Sequence, residues 1–193
     1  MVDLYGQYKK IQKEIDDAIL DVVSSCSYIN GPDVKGFQKN LEDYLGVRYV
    51  IPCANGTDAL QVALMALELK EGDEIICPDF TFVATAEVVK LLGLKAVFVD
   101  VNKDHFTIDI EKIRKSITPK TKAIIPVHLF GQCANMEKIQ QIAKENNLYV
   151  IEDTAQSFLV KNQDKKYCGT KYDIGCFSLS ISKLINIFFF KIS

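Results

Sequence analysis

The sequence has no apolar run long enough to span a bilayer, since its most apolar segment, Leu184 to Phe190, is too short. It has no excess of charge either. Its 23 basic and 25 acidic residues leave a net charge of -2, which argues against a nucleic acid or an anionic membrane as partner. No Cys-x-x-Cys pair occurs among its six cysteines, at 26, 53, 77, 133, 168 and 176. That spacing is neither a zinc pattern nor a disulfide framework, and reads as reduced thiols in a cytoplasmic protein. Asp3 and Tyr5 lead into a charged helix, so no signal peptide is expected. The Gly-x-Gly-x-x-Gly of dinucleotide sites is missing, as is the Gly-Lys-Ser/Thr of a P-loop.

What is present is enough apolar material for one sizeable core: 48% of 193 residues. Ile11, Ile15, Ala18, Ile19 and Val22 fall at helical spacing, and Val34, Phe37, Leu41 and Leu45 stripe a second helix that ends at Gly46. Both helices are expected to pack on one face of a sheet, joined by a loop over Ser24 to Pro32. Strands are expected at Tyr49–Cys53, Glu74–Cys77, Lys95–Asp100, Thr121–Val127, Leu148–Asp153 and Tyr172–Ser178, with helices between them. This alternation predicts an α/β fold with a mostly parallel sheet.

In such a sheet, chemistry sits outside the carboxyl ends of the strands. Leu148-Tyr149-Val150-Ile151 reads as a strand buried on both faces, and it delivers Asp153 to such an end. Asp153 also reads as a cap on a following helix. Asn55-Gly56-Thr57-Asp58 opens a helix after a glycine turn. The free N–H groups and positive dipole end there suit one phosphate, and the stretch reads equally as an ordinary turn capped by Thr57 or Asp58. Phe82 lies past a strand end, placed either to stack on a ligand ring or to fill the core. His128 ends a strand and reads as a hydrogen-bonded structural residue, whereas His105 sits in a polar, solvated loop. Lys183 is a potential amine nucleophile, or a solvated lysine.

Together these stretches resemble the DegT/DnrJ/StrS sugar aminotransferases, which use pyridoxal 5'-phosphate on the fold-type-I scaffold. The resemblance rests on Asn55-Gly56-Thr57-Asp58-Ala59-Leu60, Pro78-Asp79-Phe80-Thr81-Phe82-Val83-Ala84-Thr85, Val97-Phe98-Val99-Asp100, Pro126-Val127-His128-Leu129-Phe130-Gly131, Ile151-Glu152-Asp153-Thr154-Ala155-Gln156, and Gly175-Cys176-Phe177-Ser178 with Ser182-Lys183. It implies a three-layer α/β/α large domain. Asp153 would keep the pyridine nitrogen protonated, and Gly56, Thr57 and Ser178 would hold the phosphate. Phe82 would stack on the ring and Gln156 would meet its 3-hydroxyl. Lys183 would form the internal Schiff base and then move the proton. The implied reaction takes an amino group from glutamate to a keto group of a nucleotide-linked sugar, and family sites shared between subunits imply a homodimer.

The sequence departs from the family pattern at its end. Ile181 stands where the family has proline, and the glycine-rich stretches beyond the lysine are replaced by Leu184 to Ser193. The expected organisation is a helical arm over 1–46, a partial cofactor-binding domain over 47–183 and an aberrant apolar tail over 184–193, without the small C-terminal domain. A truncated gene product is the corresponding expectation, with Phe188-Phe189-Phe190 prone to aggregate. A catalytically silent remnant that keeps part of the cofactor pocket is the alternative function. A nucleotide-sugar dehydrogenase is disfavoured by the missing glycine fingerprint.

Overall fold

The computed structural model describes residues 3–179. Lys183 and the tail that follows it lie outside the described residues. Five short strands form one parallel sheet: β1 (Glu74–Pro78), β2 (Lys95–Val99), β3 (Thr121–Ile124), β4 (Tyr149–Asp153) and β5 (Ile174–Cys176). Their spatial order is β2-β1-β3-β4-β5. Among the described residues, six α-helices accompany them: α1 (Leu4–Ser25), α2 (Pro32–Leu45), α3 (Gly56–Ala66), α4 (Ala84–Leu91), α5 (Ile110–Ser116) and α6 (Met136–Asn146).

The apolar pattern of β4 explains the layering. Neighbouring strand residues point to opposite faces. Ile151 joins Leu60, Leu64, Val88 and Ile75 in a core under α3 and α4. Val150 joins Ile76, Ile113, Ile139 and Ile142 in a second core under α5 and α6. Both residues are fully buried, so β4 is covered on both faces, and the chain is a three-layer α/β/α unit. From β1 the chain leaves through α4, and from β3 through α6. The two helices lie on opposite faces, and a crevice opens between such strands at their carboxyl ends.

Two expectations fail. Tyr49–Cys53 is not a strand. The Val50 N–H donates to Glu42 Oε1 at 3.1 Å instead of to a ladder, and Pro52 has no N–H to give. Val50 instead packs with Leu41, Leu45, Phe177 and Leu179 in a third, smaller cluster that anchors α2. Nor does α1 pack on the sheet: none of its residues is buried, and Ile11, Ile19, Leu20 and Val23 stand in solvent. Its stripe is genuinely amphipathic, but the sheet faces are already covered by α3 to α6.

β5 shows why glycine stands at 175. A Cβ there would lie 1.9 Å from the Gly169 carbonyl oxygen, so the 168–170 turn crosses β5 too closely for any side chain. Gly169 itself has φ +78° and would drive a Cβ to 2.6 Å from the Phe177 ring.

Candidate active site

Asp153 ends β4 and is locked in place from several directions. Its N–H donates to the Pro126 carbonyl at 2.9 Å, and its own carbonyl accepts the His128 N–H at 3.0 Å. Its side chain is buried. Oδ2 accepts from Thr85 Oγ1 at 3.0 Å and Oδ1 from the Ala155 N–H at 3.1 Å. Turns rather than a helix follow β4, so the helix-cap reading of Asp153 does not hold. A carboxylate fixed in this way at a strand end is preorganised to receive a cation or a donor N–H.

Facing it is the amino end of α3. Asn55 caps this helix, its Oδ1 accepting the Asp58 N–H at 3.0 Å and its Nδ2 donating to Asp58 Oδ2 at 2.9 Å. Neither Thr57 nor Asp58 is the cap. The first-turn amides of Gly56 and Thr57 have no intrahelical acceptor, and the helix dipole adds positive potential there. A cleft of about 350 Å³ joins the two elements, lined by Gly56, Thr57, Phe82, Asp153, Gln156 and Ser178 among others. All the sequence-predicted site residues within the described range therefore meet in one cleft. Lys183 lies outside that range. Phe82 is 66% exposed, so its ring is available to a ligand and is not core. Gln156 Oε1 accepts the Phe130 N–H at 3.0 Å, which turns its amide N–H₂ group toward donation.

A second constellation lies behind Asp153. Glu152 and His128 are almost wholly buried and meet through Nε2 and Oε2 at 2.9 Å. The Ala134 N–H is directed at Nδ1 at 3.1 Å, and the Gly169 N–H donates to Glu152 Oε2 at 2.9 Å. Burial pulls the imidazole pKa down, while the hydrogen bond and charge of Glu152 raise it by more. The Ala134 N–H requires a lone pair on Nδ1, so the geometry describes a neutral ring with its proton on Nε2. His128 is thus the structural residue expected of it.

A model of the DegT/DnrJ/EryC1/StrS aminotransferase family matches residues 9–188. The chain belongs to that family. Among its relatives is the UDP-2-acetamido-2-deoxy-3-oxo-D-glucuronate aminotransferase of Pseudomonas aeruginosa, 46% identical over 94% of this chain and 50% of the relative. A family aminotransferase structure from Brucella abortus superposes with a TM-score of 0.92 at 40% identity, covering 100% of this chain and 54% of that one. The structure of ntda from Bacillus subtilis with bound cofactor PMP superposes with a TM-score of 0.87 at 35% identity, over 95% of this chain and 42% of that one. The chain spans about half the length of the relatives it matches. These neighbours share the α/β fold of the pyridoxal-phosphate aminotransferases. Thr85, which donates to Asp153 in this cleft, was not singled out from sequence. The only available signal was a hydroxyl in the first turn of the helix after β1. The Glu152 partnership was missed as well, although a glutamate inside a buried strand demands a partner.

Proposed function

We propose that this chain forms the pyridoxal-phosphate-binding body of an aminotransferase. The enzyme takes an amino group from glutamate to a keto group of a nucleotide-linked sugar, for amino-sugar and surface-polysaccharide synthesis in the cytoplasm. The observation that carries this reading is the buried Asp153 carboxylate, held by Thr85 and the Ala155 N–H in the same cleft as the α3 amino end. One carboxylate, one uncovered aromatic ring and one helix amino end match a flat cationic ring bearing a single phosphate. Asp153 would hold the ring nitrogen's proton. Gly56, Thr57 and Ser178 would bind the phosphate through amides and hydroxyls. Phe82 would stack on the ring, and the Gln156 amide would donate to the ring oxygen. When bound, the cofactor supplies an electron sink as the donor's α-hydrogen leaves. Lys183 would attach the cofactor and carry that proton on Nζ.

Residues 1–46 act as an arm and 47–183 as the cofactor-binding body. Relatives named for UDP-, dTDP- and GDP-sugars support the sugar-nucleotide acceptor class. The uncovered stripe of α1 supports a homodimer in which a second copy covers it. The test is release of 2-oxoglutarate when the cofactor-loaded chain meets glutamate. One equivalent per chain is expected, and none from Lys183→Ala. A chain that binds the cofactor but releases nothing is the silent remnant, and one that does neither contradicts the reading altogether.

A further inference from the structure

Cys133 and Cys168 come from separate loops, one between β3 and α6 and the other just before β5, yet they meet. Their sulfurs and a ring nitrogen of His128 lie within 4.8 Å of one another. Each cysteine immediately precedes an amide that holds the buried pair: Ala134 N–H on His128 and Gly169 N–H on Glu152. The two thiols therefore flank the ends of a short chain of hydrogen bonds, Ala134 to His128 to Glu152 to Gly169, directly behind Asp153. Both nitrogens of His128 are already committed to Ala134 and Glu152. The cluster thus offers a cation two sulfurs rather than three ready donors, and a dithiol is the better description.

We infer that Cys133 and Cys168 form a thiol-oxidation site that a peroxide converts to a reversible disulfide. The Cys133 thiolate attacks one peroxide oxygen, the O–O bond breaks, and hydroxide leaves as water after taking up a proton. Cys133 is then a sulfenic acid. The Cys168 sulfur attacks that sulfur, the S–S bond forms, the S–O bond breaks, and a second water departs with the Cys168 proton. Two electrons pass from the two sulfurs to the peroxide. A dithiol reductant reverses the step by exchange.

Access and reactivity agree with this geometry. Cys133 is only half-buried and lines an open hollow of about 420 Å³, with Thr107, Lys161 and Tyr172. Cys168 behind it is buried. The Cys168 S–H donated to Cys133 holds the Cys133 thiol below the usual range against the opposing effect of burial. Burial instead pushes Cys77 up to about 12 and Cys53 up to about 11. The sulfurs already lie within 4.8 Å of each other and close to a bond of about 2.05 Å. Gly169 is wedged against Gly175 and Phe177, so Cys133 is the freer of the two partners to adjust.

The test needs no activity and is independent of the cofactor reading. The reduced full-length chain is treated with a small excess of hydrogen peroxide, remaining thiols are blocked with iodoacetamide, and peptides are mapped without reductant. The expected result is a Cys133–Cys168 cross-linked peptide that dithiothreitol removes, with Cys77 and Cys176 alkylated only after unfolding. Before oxidation, Cys133 should alkylate at neutral pH at least ~10-fold faster than Cys77. In Cys168→Ala, dimedone should trap Cys133 as its sulfenic acid. Oxidation at Cys26 alone, with both Cys133 and Cys168 recovered alkylated, overturns the inference. So does stoichiometric zinc that protects both thiols and leaves no cross-link after peroxide.

Discussion

Asp153 could be read from sequence because its position follows from a rule about strand ends. Its hydrogen-bond partner could not, because Thr85 reaches it across 68 residues of sequence and no local pattern encodes that meeting. The contact is nevertheless specific. Thr85→Val keeps the shape and removes the hydroxyl, taking one hydrogen-bond donor from a buried carboxylate. That should cost about 1–3 kcal/mol in denaturant unfolding and weaken pyridoxal phosphate binding in the same variant. Asp153→Asn removes the charge itself. Charged hydrogen bonds are worth about 1.5–3 kcal/mol, so cofactor affinity measured by fluorescence titration should fall about 10- to 100-fold, with little change in fold. Glu152 and His128 show the same limit of sequence reading. Each residue type signals the need for a partner, but only the fold shows that they meet, through His128 Nε2 and Glu152 Oε2.

The elements followed the sequence where periodicity was strong and a neighbour was available. β4 and the helices α3 and α6 stand close to where apolar spacing puts them. Tyr49–Cys53 has strand-like residues but, among the described residues, no strand pairs with it, and a ladder needs two sides. The stripe of α1 predicts a helix correctly and its docking site wrongly, since amphipathicity says that a face wants cover but not which surface provides it. Accordingly, Ile19→Lys should shift the melting of the monomeric chain by less than about 0.5 kcal/mol, as for surface positions. Ile142→Ala, in the core under α6, should cost about 2–5 kcal/mol. Gly175→Ala is sharper still. Its methyl group would collide with backbone, not with a side chain that can rotate away, so it should destabilise by about 1–3 kcal/mol or more by overpacking and displace the turn carrying Cys168.

Across the whole molecule the two ends of the sheet have different roles. The carboxyl ends of β1, β4 and β5 gather the cleft. At the amino ends, Glu74 at the start of β1 accepts from Lys95 at the start of β2, at 2.9 Å, and from the Thr118 hydroxyl. The Thr118 hydrogen bond, then that of Lys95, lowers the Glu74 pKa from the ordinary 4.5. A lowered folded-state value means that the stabilisation is complete above the ordinary value and is lost as pH falls through the folded one. Thermal melts should therefore drop in that acidic window, and Glu74→Gln should flatten the drop. The three-layer order was legible as alternation, and the family as motifs in sequence. The convergence of six predicted residues on one cleft required the fold.

The proposed function requires this cleft to hold pyridoxal phosphate within reach of Lys183. The most direct measurement is borohydride reduction of the purified chain with the cofactor, followed by peptide mapping. The expected result is a visible absorbance band that borohydride bleaches, with the cofactor's mass left on the peptide containing Lys183 and the band diminished in Asp153→Asn. No band, or cofactor scattered over surface lysines, would contradict it.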